Sequence, residues 1–118
     1  MLLFKKKFLD AIRAGEKTQS IRLWKHRKLK PMQKSYIPGA GYIEVLAVDA
    51  VDVATLTDAD ALPDGFPSAD ALRKEIEQLY AEQLGSGHQA YRIRFRLLTP
   101  EEVETHKQTR VKRPRKTV

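Results

Sequence analysis

The residue types best suited to chemistry gather near the start of the chain, in Ala14-Gly15-Glu16-Lys17-Thr18-Gln19-Ser20-Ile21-Arg22. Gly15, Lys17 and Arg22 stand in the spacing G-x-K-x-x-x-x-R, with the hydroxyl of Ser20 between the two cations. Two chemistries fit this set. A charged Lys17 acting with Arg22 would clamp a phosphate or a base edge. A neutral Lys17 would act as base or nucleophile toward an amide, with Ser20 as hydroxyl partner and Arg22 or backbone N–H groups as oxyanion donors. The second use brings the amine from an ordinary pKa of about 10.4 to near neutrality, roughly 4 kcal/mol of environment. Burial next to another cation supplies shifts of that kind.

A second set follows directly. Trp24 to Lys34 holds five cations (Lys25, Arg27, Lys28, Lys30 and Lys34) and no acid. Cations beside a tryptophan able to stack are what a phosphate backbone and an unpaired base require. A solvated loop next to a core tryptophan has the same composition. Lys17, Arg22, Trp24, Lys25, Arg27, Lys28 and Lys30 are therefore the candidate nucleic-acid contacts.

The elements that must position these residues are legible in outline. Phe4, Phe8 and Ile12 recur at helical spacing, and Gly15 can end that helix in a left-handed conformation costly to other residues. Residues 17–23 look extended, with Thr18, Ile21 and Leu23 favouring a strand. Alternation puts Ser20 and Arg22 on one face, so Lys17 joins them only if the chain bulges or Lys17 sits in the turn before the strand. Ser35-Tyr36-Ile37-Pro38 reads as a short strand, Gly39-Ala40-Gly41 as a turn, and Tyr42 to Val53 as a long strand apolar on both faces in places, consistent with a bulge. Leu56 to Pro67 is acidic and turn-rich. Ser68 can cap a helix whose apolar positions are Leu72, Ile76 and Leu79 with Tyr80. Tyr91, Ile93, Phe95 and Leu97 alternate with Arg92, Arg94 and Arg96, a strand with a solvated or acid-paired cationic face. Thr99-Pro100-Glu101-Glu102 has the form of a capping box leading into a helix. Strands interleaved with two or three short helices predict an α+β domain: a small β-barrel with helices packed around it. Residues 1–98 form that domain; residues 99–118 are a basic extension, a short helix and then the tail Lys112-Arg113-Pro114-Arg115-Lys116, expected to be disordered alone.

Composition narrows the function classes. At 118 residues the chain can bury one core without staples. There is no cysteine, hence no thiol nucleophile or disulfide, and His26, His88 and His106 are scattered without metal-ligand spacing. Neither G-x-S-x-G nor a phosphate-loop pattern occurs, so no cofactor is expected. No signal-peptide or membrane-spanning run is present, so a cytoplasmic protein is expected. The net charge of +7 is divided: residues 1–38 carry an excess of nine bases, residues 39–85 an excess of eight acids, and residues 86–118 an excess of six bases. Such an oriented field suits a polyanionic partner.

Phe4-Lys5-Lys6-Lys7-Phe8-Leu9-Asp10-Ala11-Ile12, the Gly15–Arg22 motif, Ser35-Tyr36-Ile37-Pro38-Gly39, Leu56-Thr57-Asp58 and the Tyr91–Leu98 strand together resemble the ASCH (activating signal cointegrator homology) domain family. The resemblance spans roughly residues 2–98. It implies a PUA-like barrel with a cleft beside the motif, and RNA as partner. One branch of that family consists of small amidohydrolases that deacetylate N4-acetylcytidine, using a lysine and a threonine of the motif with a downstream acid. Lys17 falls on the lysine and Ser20 on the threonine, keeping the hydroxyl without the methyl. Asp64 is the best placement of the acid, one methylene shorter than the Glu of that branch. The first expectation is therefore a nucleic-acid-binding module, for RNA, with a cationic cleft at the G-x-K-x-x-x-x-R motif, and the alternative a small amidohydrolase using Lys17 and Ser20; the expected ligand is RNA or a nucleoside.

Overall fold

The computed structural model describes residues 1–111; the Lys112–Lys116 tail lies outside them. The elements run α1 (Leu9–Arg13), β1 (Gln19–Trp24), β2 (Lys34–Ile37), β3 (Gly41–Val51), α2 (Asp58–Ala61), α3 (Ala69–Leu79), β4 (Gln89–Leu97) and α4 (Pro100–Val111), with short 3-10 turns at Lys6–Phe8, Val53–Thr55 and Leu62–Asp64. The four strands form one antiparallel sheet in the order β1-β4-β3-β2, curled as a half-barrel. The α+β class expected from the sequence is what the chain adopts: among the described residues α1, α2 and α3 belong to the domain over residues 1–98, and α4 is the helix of the extension.

Alternation along the strands sorts side chains into two apolar clusters. Ile37, Ile43, Val45, Val48, Ile93 and Phe95 are buried with Ile12 of α1 and with Leu2 and Leu29. The register shifts between Val45 and Ala47, so Val45 and Val48 are buried in the same cluster although three residues apart. A second cluster joins Ile21 and Leu23 of β1 and Ala90 of β4 to Ala61 of α2 and to Leu72 and Ile76 of α3. Ser68 caps α3 by accepting from the Ala71 N–H at 3.2 Å. Leu79, read as part of the helix's apolar face, is 43% exposed where α3 ends.

The arginines of β4 are largely acid-paired. Arg92 bonds Asp60 of α2 at 3.0 Å, and Arg96 bonds Glu44 of β3 and Glu102 of α4 at 2.8 and 2.7 Å. Glu102 also accepts from the Thr99 N–H at 2.9 Å, and Thr99 caps the Glu102 N–H in return at 3.2 Å. The capping box and the strand's last arginine thus anchor α4 jointly.

The site region depends on how α1 ends. The helix that the Phe4-Phe8-Ile12 spacing predicts begins only at Leu9, preceded by the 3-10 turn, and Phe4 lies in extended chain before it. Gly15 follows α1 at φ +76°, its N–H donating to the Ile12 carbonyl at 3.1 Å. The Glu16 and Lys17 N–H groups both donate to the Ala11 carbonyl, at 2.9 and 3.1 Å. This closed end leaves Lys17 in the turn before β1, as its grouping with Ser20 requires. A Cβ on Gly15 would meet nothing within 4 Å, so only backbone strain opposes substitution there. Gly15→Ala is expected to lower unfolding free energy by about 1–2 kcal/mol, the cost of left-handed backbone, and Gly15→Asn by clearly less; urea denaturation reads both.

Candidate functional site

β1 is an edge strand, and the cleft lies along it between the N-terminal segment and α3. Its volume is about 130 Å³. Leu3, Phe4, Lys5 and Phe8 line one side, Leu72, Glu75, Ile76, Leu79 and Tyr80 another, and Lys17, Ser20, Ile21, Arg22, Asp64 and Phe66 complete the lining.

Lys17 and Asp64 are both almost fully buried, at 3% and 2% exposure. The Lys17 Nζ donates to Asp64 Oδ1 and to the Asp64 backbone carbonyl, each at 2.6 Å. The loop carrying Asp64 is brought there by backbone geometry: the Thr18 N–H donates to the Pro63 carbonyl at 2.8 Å. Gly65, at φ +88°, then ends the 3-10 turn with its Cα face 3.8–3.9 Å from the lysine stem, counted from an added Cβ. Gln19, with no exposed surface, donates to Asp64 Oδ2 at 3.1 Å and to the Asp60 carbonyl at 2.8 Å. The rings of Phe8, Phe66 and Phe4 surround the amine, with centroids 4.7, 5.5 and 5.7 Å from Nζ.

Ser20 and Arg22 share a face, as alternation requires. The Arg22 Nε donates to Ser20 Oγ at 2.9 Å, and a terminal nitrogen of Arg22 donates to the Leu3 carbonyl at 2.7 Å. The guanidinium lies over the Phe4 ring at 4.5 Å. The arginine therefore fixes the serine oxygen and ties the N-terminal segment across the cleft.

Burial dominates the electrostatics. It pushes the Lys17 amine below its ordinary range; Asp64 opposes this, and the nearby Arg22 charge reinforces it. Burial likewise pushes the Asp64 carboxyl up, against the pull of Lys17, Gln19 and Arg22. Both directions favour the uncharged forms. Burial lowers the Arg22 guanidinium too, but an arginine stays charged in proteins. Burial raises the Tyr80 phenol, opposed by the Arg22 charge. At Glu75 burial works to raise the carboxyl, but Lys7 at 3.0 Å and Lys5 at 3.4 Å outweigh it and hold the group below the usual range.

Lys17, Ser20, Arg22 and Asp64 thus meet at one cleft. Trp24, Lys25, Arg27, Lys28 and Lys30 do not line it. Trp24 is half-buried against Tyr91, with ring centroids 5.7 Å apart, while the four cations are exposed on the loop after β1. Gln19, Phe66, Glu75 and Tyr80 join the site without having been marked as site residues by the sequence, Tyr80 being legible there only as part of an apolar stripe. Gln19 sits inside the motif, but nothing in its type announces contact with residues 60 and 64. Glu75 and Tyr80 were hidden in a helix read for its apolar stripe. Among the described residues no cluster of metal-ligating side chains occurs, and no helix is long and apolar enough to cross a membrane.

Removing the counter-charge has a defined consequence. Asp64→Asn leaves Lys17 buried without an anion, expected to cost about 3–5 kcal/mol at neutral pH. In that variant the folded-state amine titrates below its unfolded value of 10.5, so between the two values the unfolded chain binds more protons and stability rises with pH. Urea denaturation should therefore show the deficit relative to the unsubstituted protein narrowing from pH 7 to pH 9.5.

Neither a protein-family model nor a curated protein matches the sequence. Solved structures do match in shape. The hypothetical protein PH0355 superposes with a TM-score of 0.68 at 19% identity, over 81% of this chain and 95% of that one. Protein EF3133 from Enterococcus faecalis V583 gives 0.63 at 14% identity, over 78% and 70%. An ASCH domain from Lactobacillus crispatus JV V101 gives 0.57 at 18% identity, over 75% and 68%. With the curled sheet, its flanking helices and these superpositions in hand, the chain has the fold of an ASCH domain.

Proposed function

We propose that the cleft hydrolyses the amide of a small acylated nucleobase or nucleoside of the N4-acetylcytidine kind. The observation that carries this reading is the Lys17 amine, buried among three phenylalanine rings and held at 2.6 Å by Asp64, at the edge of a cleft of about 130 Å³. Burial and the nearby Arg22 charge move the amine in the direction that a general base needs. The rings of Phe4, Phe8 and Phe66 in the lining offer apolar faces that suit a flat base.

In this mechanism Lys17 takes a proton from water, and the hydroxide adds to the acyl carbon. The Arg22 guanidinium and the Ser20 hydroxyl that it holds stabilise the oxyanion. The C–N bond then breaks, and the leaving nitrogen receives the proton from the Lys17 ammonium. Water and amide become carboxylic acid and free amine, and Lys17 is neutral again. Asp64 orients the amine and supports it while it is charged. Glu75 of α3 and Tyr80 just after it line the same cleft and are the polar groups available to the rest of the base.

The full chain mixed with N4-acetylcytidine should release cytidine and acetate. Lys17→Met is expected to lower kcat by about 10²-fold or more and Ser20→Ala by less, in line with losing a general base or one oxyanion partner. Absence of turnover, or Lys17→Met turning over as fast as the unsubstituted protein, overturns the reading.

The loop after β1 favours a second reading. Lys25, Arg27, Lys28 and Lys30 are exposed and have no acidic partner among the described residues, and the Arg27 guanidinium lies 5.8 Å from the Tyr91 ring centroid. We propose this loop as an RNA contact separate from the cleft. Single-stranded RNA titrated over a salt series should bind with a log–log slope near −0.7 per phosphate engaged. Lys28→Glu should weaken binding, and Lys17→Met should not.

A further inference from the structure

We propose that Gln19 is the positioning residue of the cleft: its buried carboxamide holds the Asp64 carboxylate against Lys17 and thereby governs whether the lysine is charged. The inference deepens the hydrolase reading, but it is tested on the lysine itself.

The geometry that carries it is a continuous chain of hydrogen bonds. Arg92 of β4 bonds Asp60 Oδ1 at 3.0 Å. The Asp60 backbone carbonyl accepts from Gln19 Nε2 at 2.8 Å, and the same nitrogen donates to Asp64 Oδ2 at 3.1 Å. The other carboxylate oxygen, Oδ1, then meets Lys17 Nζ at 2.6 Å. One amide nitrogen therefore uses both of its protons to join α2 to the turn that bears Asp64. With Oδ2 held by Gln19, rotation of the carboxylate away from Lys17 would break both contacts together. The carboxamide oxygen accepts no hydrogen bond from any described residue although the side chain is fully buried. A buried acceptor without a partner is costly. A packing role alone is better served by an apolar residue of the same length, so the two bonds that its nitrogen makes are what offset the unpaired oxygen.

The charged groups facing this chain are few. Lys17 faces Asp64 from the 3-10 turn, Arg22 from β1 and Glu75 from α3, the last paired with Lys5 and Lys7. Asp64 faces Lys17, Gln19 and Arg22. Gln19 is thus the uncharged member of a cationic and anionic set, and it alone donates to the carboxylate without competing for the proton.

Two near-isosteric variants give opposite signs. Gln19→Met keeps the volume and removes the donor; Asp64 is freed to rotate, Lys17 loses support for its ammonium, and the amine should titrate at lower pH. Gln19→Glu keeps the shape and adds a carboxyl beside Asp64, so the amine should titrate at higher pH. The measurement is the pH titration of the Lys17 Cε resonance in the full chain labelled with ¹³C-lysine, assigned by its absence in Lys17→Met. A displacement of about one pH unit in each direction is expected, the scale of one charge-assisted hydrogen bond. If Gln19→Met folds and leaves the Lys17 midpoint unchanged, Gln19 is packing only and the proposal is overturned. Should Gln19→Met fail to fold, Gln19→Leu, which likewise lacks the donor, decides: a downward displacement supports the proposal, and an unchanged midpoint overturns it. Amide turnover is measured separately on the unsubstituted protein. Its absence removes the hydrolase reading without touching the titration result.

Discussion

The contact between Lys17 and Asp64 is the constraint around which the site is arranged. An ion pair removed from water costs more in desolvation than its attraction readily returns, unless further hydrogen bonds satisfy both partners. Here those bonds are present: Asp64 accepts from Gln19 as well as Lys17, and the amine donates to the Asp64 backbone as well as to its side chain. Each requirement fixes a separate piece of chain. The amine needs the closed end of α1, the carboxylate needs the turn after α2, and Gln19 needs α2 itself. Burial works against charge on both partners, which makes the pair costly to keep out of water and moves the amine in the direction of a reactive group.

The sheet supplies the rigid frame for this arrangement. Because β1 is an edge strand, one of its sides is open to a cleft, and the N-terminal segment and α3 wall it. The wall toward the N-terminus is fastened by Arg22 to the Leu3 carbonyl and by Lys5 and Lys7 to Glu75. The opposite wall is fastened through the second apolar cluster, in which Leu72 and Ile76 of α3 meet Ile21 and Leu23 of β1. The same short strand thus presents the reactive side chains and anchors the helix that covers them.

The distribution of charge follows the same division. The excess of bases over residues 1–38 separates in space into two uses. Lys17 and Arg22 turn inward to the cleft and Lys5 and Lys7, themselves exposed, pair with Glu75 at its wall, while Lys25, Arg27, Lys28 and Lys30 stand exposed after β1 without an acidic partner among the described residues. The acidic middle segment supplies partners for the first group through Asp64 and Glu75, and for the β4 arginines through Asp60 and Glu44.

The local rules written in the sequence determined much of this. Alternation placed Ser20 with Arg22 and Phe95 with Ile93 on their faces, Gly15 marked the end of α1, Ser68 and Thr99 marked the starts of α3 and α4, and the type and spacing of Lys17, Ser20 and Arg22 marked the reactive stretch. These features depend on neighbours within one turn of helix or one pleat, so a linear reading reaches them. The tertiary structure alone decided that Gln19 lies between residues 60 and 64, that Glu75 and Tyr80 face the cleft, that Phe4 precedes its helix, and that the cationic loop stands apart from Lys17. Each of those outcomes turns on which distant segments touch across the edge of β1. The desolvation that changes a lysine's chemistry comes from those contacts, and no single stretch of chain encodes it.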